Sequence, residues 1–418
     1  MLDKRLNFIE IEKKILSKWE REKLFLFKDS DNSKPYTIIM PPPNVTGSLH
    51  MGHALTFTLQ DILIRFNKKL GMNVLWQPGT DHAGIATEIL VEKKLISDKK
   101  KNKNDLGREE FLKQIWEWKE KSGNQIVNQL KKLGTAVDWS ISKFTLDEEC
   151  SNAVKEAFIQ LFNDGYIYQD ERLVNWDPKL QTAISDLEVN QKEVDGSLWF
   201  FKYYIKETDD FIEVATTRPE TMFGDVAIAV HPKNRALKSY IGKKAIIPLT
   251  ERYVHIIADE YADPSKGSGA VKITPAHDFN DFLIAKKHNL NFINIFDKQA
   301  KLNSSVPNKF TGMDRYEARK SIIKVLKENG QLTKIENNKM FIPIGERTGE
   351  VIEPLLTKQW FLDSKKLCNQ VLKSIKKKEI KFHPESWMNT FRHWINNIEP
   401  WCISRQIWWG HRIPIWYT

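Results

Sequence analysis

The sequence predicts an α/β fold in which an open parallel sheet is interrupted by an inserted β-rich domain. Three observations lead there: a strand–loop–helix–strand unit over residues 36–77, a change to short β-rich runs around residues 195–300, and a tryptophan-rich segment from about Gly345 that looks like a return to the first domain. A βαβ unit implies parallel pairing, with ligands expected at the carboxyl ends of the strands.

Residues 5–27 read as a helix, because Phe8, Ile11, Ile15 and Trp19 recur at three- and four-residue spacing. A polar linker with Asp29, Asp31, Asn32 and Ser33 follows, then a compact apolar strand over 36–40, stopped by Pro41, Pro42 and Pro43. After the loop NVTG a second helix is expected from about Ser48. Leu55, Leu59, Ile62, Leu63, Phe66 and Leu70 would form its buried stripe, with Gly71 at its C-terminal cap. A second strand, Asn73–Gln77, ends in PGTDH, and residues 105–135 and 146–165 are helical in period. The β-rich stretch comprises runs at 198–205, 211–215, 226–230, 245–248, 255–258 and 270–274, separated by Gly, Pro and Asp clusters. Four segments result: 1–35, helix and linker; 36–190, the first part of the α/β domain; 191–344, the insertion; and 345–418, the return.

Composition fits this architecture. The 418 residues are 41% hydrophobic and 28% charged, as in a globular domain, and no apolar run approaches the roughly 18–20 residues that span a bilayer. The first twenty residues lack the apolar core and cleavage site of a secretory signal, so no membrane is expected as a partner and the expected location is the cytoplasm. Cys150, Cys368 and Cys402 are far apart and form no CxxC pair, which argues against both a disulfide framework and a zinc site. A formal charge of +10 favours a polyanionic partner, although the lysine runs at 99–105 and 373–381 are more often solvated faces or loops than binding patches.

The segment PPPNVTGSLHMGHA (41–54) carries the most chemistry. Gly47 makes the turn after the strand permissive. His50 and His53, three apart, share a face of the helix's first turn, where unpaired N–H groups and the positive dipole end attract phosphate. Two imidazoles there can hydrogen-bond a triphosphate and stabilise a departing pyrophosphate. Gly52 between them leaves room for a flat ring such as adenine. An isolated HxGH would read first as a chance surface pair or half a metal site; its place after a strand and at a helix start reverses that in favour of the anion reading.

This segment resembles the His-x-Gly-His nucleotide motif of the class I aminoacyl-tRNA synthetases, here His50-Met51-Gly52-His53. The flanking PPPNVTGSLHMGHAL and the later PGTDHAGIAT (78–87) look like the valine-specific branch, and the resemblance runs from the first helix to WCISRQIWWGHRIPIW (401–416). It implies a Rossmann-like catalytic domain holding an inserted editing domain. It also implies ATP with Mg2+, valine and tRNA(Val) as substrates and partners, and a monomeric full-length enzyme. Pro41, Pro42 and Asn44 would line the amino-acid pocket, Asn44 and Thr46 would join His50, Gly52 and His53 around ATP, and Asp81 would bind the substrate ammonium. The chemistry agrees: rigid prolines make a small apolar wall, and a carboxylate after a strand end can pair with a cation. Asp81 could also be a turn or cap residue, and His82 is left unassigned.

A valine pocket rejects the near-isosteric threonine only weakly, a limit for which the valine enzymes are themselves the standing illustration. A second, hydrolytic site is therefore expected. TTRPETMFGD (216–225) and KITPAHDFNDF (272–282) resemble the halves of the family's editing pocket. By that match Arg218, Lys272 and Thr274 would contact the tRNA terminus or acyl group, and Asp278 and Asp281 would hold the ammonium and hydroxyl of a misattached threonine. The two aspartates also fit helix capping, and a metal reading of His277–Asp278 has no neighbouring ligand cluster to support it.

The family's second ATP motif, Lys-Met-Ser-Lys-Ser, has no counterpart in the sequence, nor do the second half of the nucleotide fold and the anticodon domain. The expectation is an incomplete catalytic domain: its sheet would have an open edge, Trp387, Trp394, Trp401, Trp408, Trp409 and Trp416 would cover structure outside the chain, and the polypeptide alone would show negligible ATP–pyrophosphate exchange. Where some relatives carry a zinc-binding cysteine pair, this chain reads IPIGERTGEVIEP (342–354), so no zinc is expected. The rival readings are an isoleucine or leucine enzyme, a free-standing deacylase, which would not need His50 and His53, and a plain RNA-binding module, which would not need PGTDH.

Overall fold

A computed structural model describes residues 7–28 and 33–417. Residues 5 and 6 of the expected first helix, and Asp29, Asp31 and Asn32 of the linker, lie outside the described residues. The chain divides into two compact units, Met1–Leu161 with Ile407–Thr418, and Phe162–Gln406. The expected insertion, 191–344, falls wholly inside the second unit, whose bounds are wider.

The first unit runs α1 (Phe8–Glu22), β1 (Pro35–Ile39), α2 (Met51–Lys69), β2 (Asn73–Gln77), β3 (Gly79–Thr80), α3 (Gly84–Lys99), α4 (Lys103–Leu106), α5 (Arg108–Leu133), β4 (Lys143–Phe144) and α6 (Glu148–Asn163). β1 and β2 pair in parallel, from Pro35 opposite Asn73 to Ile39 opposite Gln77, with α2 as the crossover. β3 pairs in parallel with β4. The apolar residues that end each strand become core: Met40 and Trp76 pack with Phe57, Ile64, Ile126 and Leu130.

The buried face of α2 is not the expected one. Leu55, Leu59, Ile62, Leu63, Phe66 and Leu70 are all exposed, Leu55 by 64% and Leu63 by 47%. The inward face is Phe57 and Ile64, interleaved with Gln60, Asp61 and Asn67. Each of these polar groups has a partner: Gln60 accepts from Trp76 Nε1 at 3.0 Å, Asp61 accepts from the Ala136 amide at 2.7 Å, and Asn67 donates to the Leu63 carbonyl at 2.9 Å. Both faces have helical period, and satisfied polar groups disguised the one that is buried. In the 418-residue chain, Phe57→Ala should therefore lose about 3–5 kcal/mol, while Leu59→Ala should change stability by less than about 0.5 kcal/mol. Denaturant unfolding of the two variants checks this, and equal losses would contradict the assignment of faces.

The tryptophans divide. Trp387, Trp394, Trp401 and Trp416 are exposed, but Trp409 is 2% exposed and covers structure within the chain, a correction to the expectation for the whole set. Its ring meets Trp116 edge-on at 5.0 Å and joins Val45, Val91, Phe111, Ile115 and Phe144 in a second core, with Trp408 packed against it.

The second unit comprises β5 (Ile167–Asp177), β6 (Thr182–Ile184), β7 (Val189–Tyr204), β8 (Phe211–Thr216), β9 (Ala227–Val230), β10 (Lys244–Ile246), β11 (Tyr253–Ala258), β12 (Ala270–Ile273), α7 (Phe279–His288), α8 (Arg315–Glu328), β13 (Leu332–Gly345), β14 (Glu353–Leu362), α9 (Ser364–Lys376), α10 (Trp387–Asn396) and β15 (Trp401–Cys402). Its sheets have the orders β10-β11-β9-β12, β13-β7-β8 and β15-β14-β5-β6. All six expected β-rich runs contain strands, antiparallel except for β11 with β9. β9 is buried throughout, and one core joins Phe201, Tyr203, Ile212, Val214, Met222, Phe223 and Ile228. That rigid centre carries the 3-10 turn Pro219–Gly224 and the end of β12, where the expected proofreading residues lie.

Candidate functional site

In the first unit, two loops meet side by side at the carboxyl ends of β1 and β2. Asn44 and Asp81 form a parallel bridge: the Val45 amide donates to the Asp81 carbonyl at 2.9 Å, and the Asp81 amide donates to the Pro43 carbonyl at 2.8 Å. Pro41, Pro42 and Asn44 are exposed, Thr46 is half-buried, and Pro43 and Val45 anchor the loop inside. α5 holds the far end of the loop, since Gln129 accepts from the Leu49 amide at 2.9 Å and Gln125 donates to Ser48 at 2.6 Å.

α2 begins at Met51, later than the expected Ser48, and His50 is its N-cap. His50 Nδ1 accepts from the Gly52 amide at 3.1 Å, and His53 Nδ1 accepts from the His50 amide at 3.3 Å. The two rings therefore cap the helix reciprocally, with centroids 4.0 Å apart. Because each Nδ1 accepts, the proton of each neutral ring lies on Nε2, and both rings present an N–H to an anion. Burial, then the neighbouring His50, lower the pKa of His53. Gly52 has a steric reason as well: a Cβ there would meet the His50 ring at 2.9 Å.

Asp81 is one-third exposed, and its Oδ1 accepts from Thr145 Oγ1 at 2.9 Å and lies 3.3 Å from His82 Nδ1. Burial alone would raise this carboxyl, but the hydrogen bonds from His82 and Thr145 outweigh it and hold the pKa below the ordinary range. An ionised carboxylate at the strand ends can pair with an ammonium.

In the second unit Thr221, Asp225, Lys272, Thr274 and Asp281 converge. Asp225 is fully buried; it accepts from Thr274 Oγ1 at 2.7 Å, Tyr203 Oη at 2.6 Å and Lys272 Nζ at 3.2 Å. The Lys272 ammonium also donates to Thr221 at 2.7 Å and to Thr274, so each of its three protons has an acceptor. Asp281 accepts from the Thr274 amide at 2.7 Å. Burial and then the Asp278 charge raise the Asp281 pKa to about 7, against the pull of Lys272. Asp278 is the N-cap of α7, accepting from the Asn280 and Asp281 amides at 2.8 and 3.0 Å.

Arg218 is placed differently from the others. Its Nε, Nη1 and Nη2 donate to Glu220, the His277 carbonyl and Glu353. Burial opposes its charge, yet Glu353 and Glu220 raise its pKa. Glu220 takes Arg319 bidentately at 2.7 Å on each oxygen, and Glu353 takes Arg315 at 2.9 Å. The guanidinium of Arg218 thus ties the turn Pro219–Gly224 to β14, while 28% of its side chain stays open. Buried His277 accepts from the Ile295 amide on Nε2 at 3.0 Å, and burial followed by Arg218 lowers its pKa well below the usual range. Among the described residues no group of three or more His, Cys, Asp or Glu side chains gathers as metal ligands.

A family model described as tRNA synthetases class I (I, L, M and V) matches residues 14–418. The chain belongs to that family. It is 52% identical over 408 residues to a valine–tRNA ligase of Pelagibacter ubique, covering 98% of this chain and 46% of that protein. It is 50% identical over 437 residues to a valine–tRNA ligase of Caulobacter vibrioides, covering 100% of this chain and 48% of that protein. The chain spans about half the length of the curated relatives it matches. A solved LeuRS–tRNA–LeuAMS complex from Agrobacterium radiobacter K84 aligns with TM-score 0.40 and 18% identity, over 82% of this chain and 48% of that one.

Class I synthetases use ATP as a substrate, and the α/β architecture with a β-rich insertion is the one expected for this family member. The sequence reading missed the partners that hold the site residues. Thr221 and Asp225 stand inside a motif already singled out, so their signal was present. Glu353 stands in the 342–354 segment, which was singled out only for its missing cysteines, and Thr145, Tyr203, Arg315 and Arg319 come from segments that carry no motif.

Proposed function

We propose that the protein carrying this chain activates valine with ATP, transfers the valyl group to tRNA(Val) and hydrolyses threonyl-tRNA(Val). In the first step a valine carboxylate oxygen attacks the α-phosphorus of ATP, the bond to the bridging oxygen breaks, and pyrophosphate leaves. The carboxylate is already a nucleophile, so no general base is needed and catalysis is positioning and charge stabilisation. His50 and His53 would donate from Nε2 to the phosphates, Gly52 would pass the adenine, and Asn44 and Thr46 would border the nucleotide. Pro41, Pro42 and Asn44 would wall the side-chain pocket, and Asp81 would take the ammonium. A ribose hydroxyl of the tRNA terminus then attacks the acyl carbon, and AMP leaves. Mg2+ would accompany ATP as part of that substrate, and the full-length enzyme would work as a monomer in the cytoplasm.

The observation that carries this reading is the Asn44–Asp81 bridge, which sets an ammonium acceptor beside the loop that leads into the histidine-capped helix. Valine, rather than isoleucine or leucine, is supported by the names of the relatives at 52% and 50% identity. In the second unit, Thr221, Lys272, Thr274, Asp278 and Asp281 form the proposed hydrolytic pocket, with Arg218 at its wall. The segments 36–190 and 345–418 would belong to the catalytic part, and 191–344 to the proofreading part.

The protein expressed from its complete gene should support ATP–pyrophosphate exchange with valine, and more weakly with threonine, while isoleucine and leucine give little. Exchange strongest with isoleucine or leucine would reject the valine assignment, and no exchange with any amino acid would reject activation altogether.

A further inference from the structure

The Thr145 hydroxyl makes every hydrogen bond open to it. Its oxygen lies 2.9 Å from the His82 amide, 2.6 Å from His82 Nδ1 and 2.9 Å from Asp81 Oδ1. A hydroxyl has one proton and two acceptor positions. The amide can only donate and an ionised carboxylate can only accept, so the hydroxyl proton goes to Asp81. His82 Nδ1 must then carry a proton, which it donates chiefly to Thr145 at 2.6 Å, with Asp81 Oδ1 at 3.3 Å as a weaker second acceptor. Any other assignment sets two lone pairs against each other at 2.6 or 2.9 Å.

The backbone fixes this relay from outside the strand ends. Thr87 Oγ1 and Trp409 Nε1 donate to the His82 carbonyl at 2.7 and 2.8 Å, and the buried Glu88 accepts from the Trp408 and Trp409 amides at 2.9 and 3.1 Å. His411 bonds the Thr145 backbone and sets its ring 5.4 Å from that of His82. Gly84 is held close, since a Cβ there would meet the Trp409 carbonyl at 3.3 Å. Together they hold the backbone of His82 and Thr145 in place beside Asp81.

We infer that Thr145 and His82 are positioning residues that aim the Asp81 carboxylate at the substrate ammonium, with Thr145 passing the direction of the His82 hydrogen bond on to Asp81. The inference rests on the proposed role of Asp81 in amino-acid binding. It assigns a task to a histidine in the PGTDH loop and brings in a threonine 64 positions from Asp81.

The test uses the protein expressed from its complete gene and valine-dependent ATP–pyrophosphate exchange. Thr145→Val removes the proton from Asp81 and the acceptor from His82, and should raise the KM for valine about 10- to 100-fold. The KM for ATP should stay within about threefold, because the contact is made to the ammonium alone. Thr145→Ser should recover most of the loss. His82→Asn, which keeps a donor near the Nδ1 position, should lose less than His82→Phe. In an Asp81→Asn background, Thr145→Val should add little, since it acts through the carboxylate already removed. If Asp81→Asn leaves the KM for valine unchanged, the proposed role of Asp81 is wrong. If Asp81→Asn raises it while Thr145→Val does not, or if the two effects simply multiply, Asp81 keeps its role and the relay is rejected. Equal rises in both KM values with a lowered melting temperature would show Thr145 to be a packing residue only, and would also reject the relay.

Discussion

Glu353→Ala should destabilise the second unit by about 3–5 kcal/mol, the loss expected when one partner of a buried ion network is removed. Glu353 is 2% exposed at the start of β14, and its two oxygens receive Arg218 at 2.6 Å and Arg315 at 2.9 Å. Removing it leaves two guanidinium groups short of a counter-charge, one of them on a side chain only 4% exposed. Arg315 is shut away from solvent, and Arg218, 28% open, keeps only Glu220 as a counter-charge. The unfolding midpoint should fall on the order of 10 °C for a unit of this size. A fall of one or two degrees would mean that water or rearrangement compensates the arginines, and the network is peripheral. The pH dependence follows from the second carboxylate. Burial would raise the Glu220 pKa, but Arg319 and Arg218 lower it. Its contribution is therefore present above the ordinary glutamate range and is lost as pH falls through the lowered value.

The second large effect concerns the proposed proofreading pocket. Asp281→Ala should reduce deacylation of threonyl-tRNA by about 100-fold or more, the scale of removing one partner of a buried charge pair. Valine activation by the full-length enzyme should stay intact. With its pKa raised to about 7, the wild-type carboxyl should take up a proton around neutrality. Only the ionised form can hold an ammonium, so deacylation at low substrate should fall with one proton as pH drops below about 7. Asp278→Asn removes the nearest like charge and should move that limb to lower pH, even if it also weakens the cap of α7. A limb that stays fixed in Asp278→Asn, or deacylation that is flat from pH 6 to 8 in the wild type, would show that Asp281 does not control deacylation by titrating near neutrality in the free enzyme. Stability runs the opposite way from Glu220. A raised carboxyl favours the fold at acid pH, and that contribution is lost as pH climbs through about 7.

What could be read from the sequence was local. β2 was legible at both ends because an apolar run lies between Gly71 and Pro78, and the six β-rich runs were legible for the same reason. The capping geometry of Asp278 follows from its place before a helical period. α2 was read as a helix correctly and turned to the wrong face. Its buried side includes Asp61 and Asn67, whose partners, the Ala136 amide and the Leu63 carbonyl, no hydrophobic pattern records. Long-range partners were illegible in principle. Arg218 finds Glu353 135 positions away, and Thr182 finds Gln406 at a separation of 224, and nothing near either residue marks the pairing. The site motifs were visible as words, and the groups that aim them were not.

The reciprocal caps of His50 and His53 have a consequence for how an anion would arrive. Side chains that must swing into place on binding pay for their ordering at that moment, and the affinity observed is what remains. Here the two imidazoles are already frozen by the helix they cap, through Nδ1, with the opposite nitrogen left for a visitor. Docking a phosphate would then require neither unwinding of the first turn nor a search among rotamers. The reorganisation is done when the chain folds, and the same hydrogen bonds that start the helix would preorganise the proposed anion site.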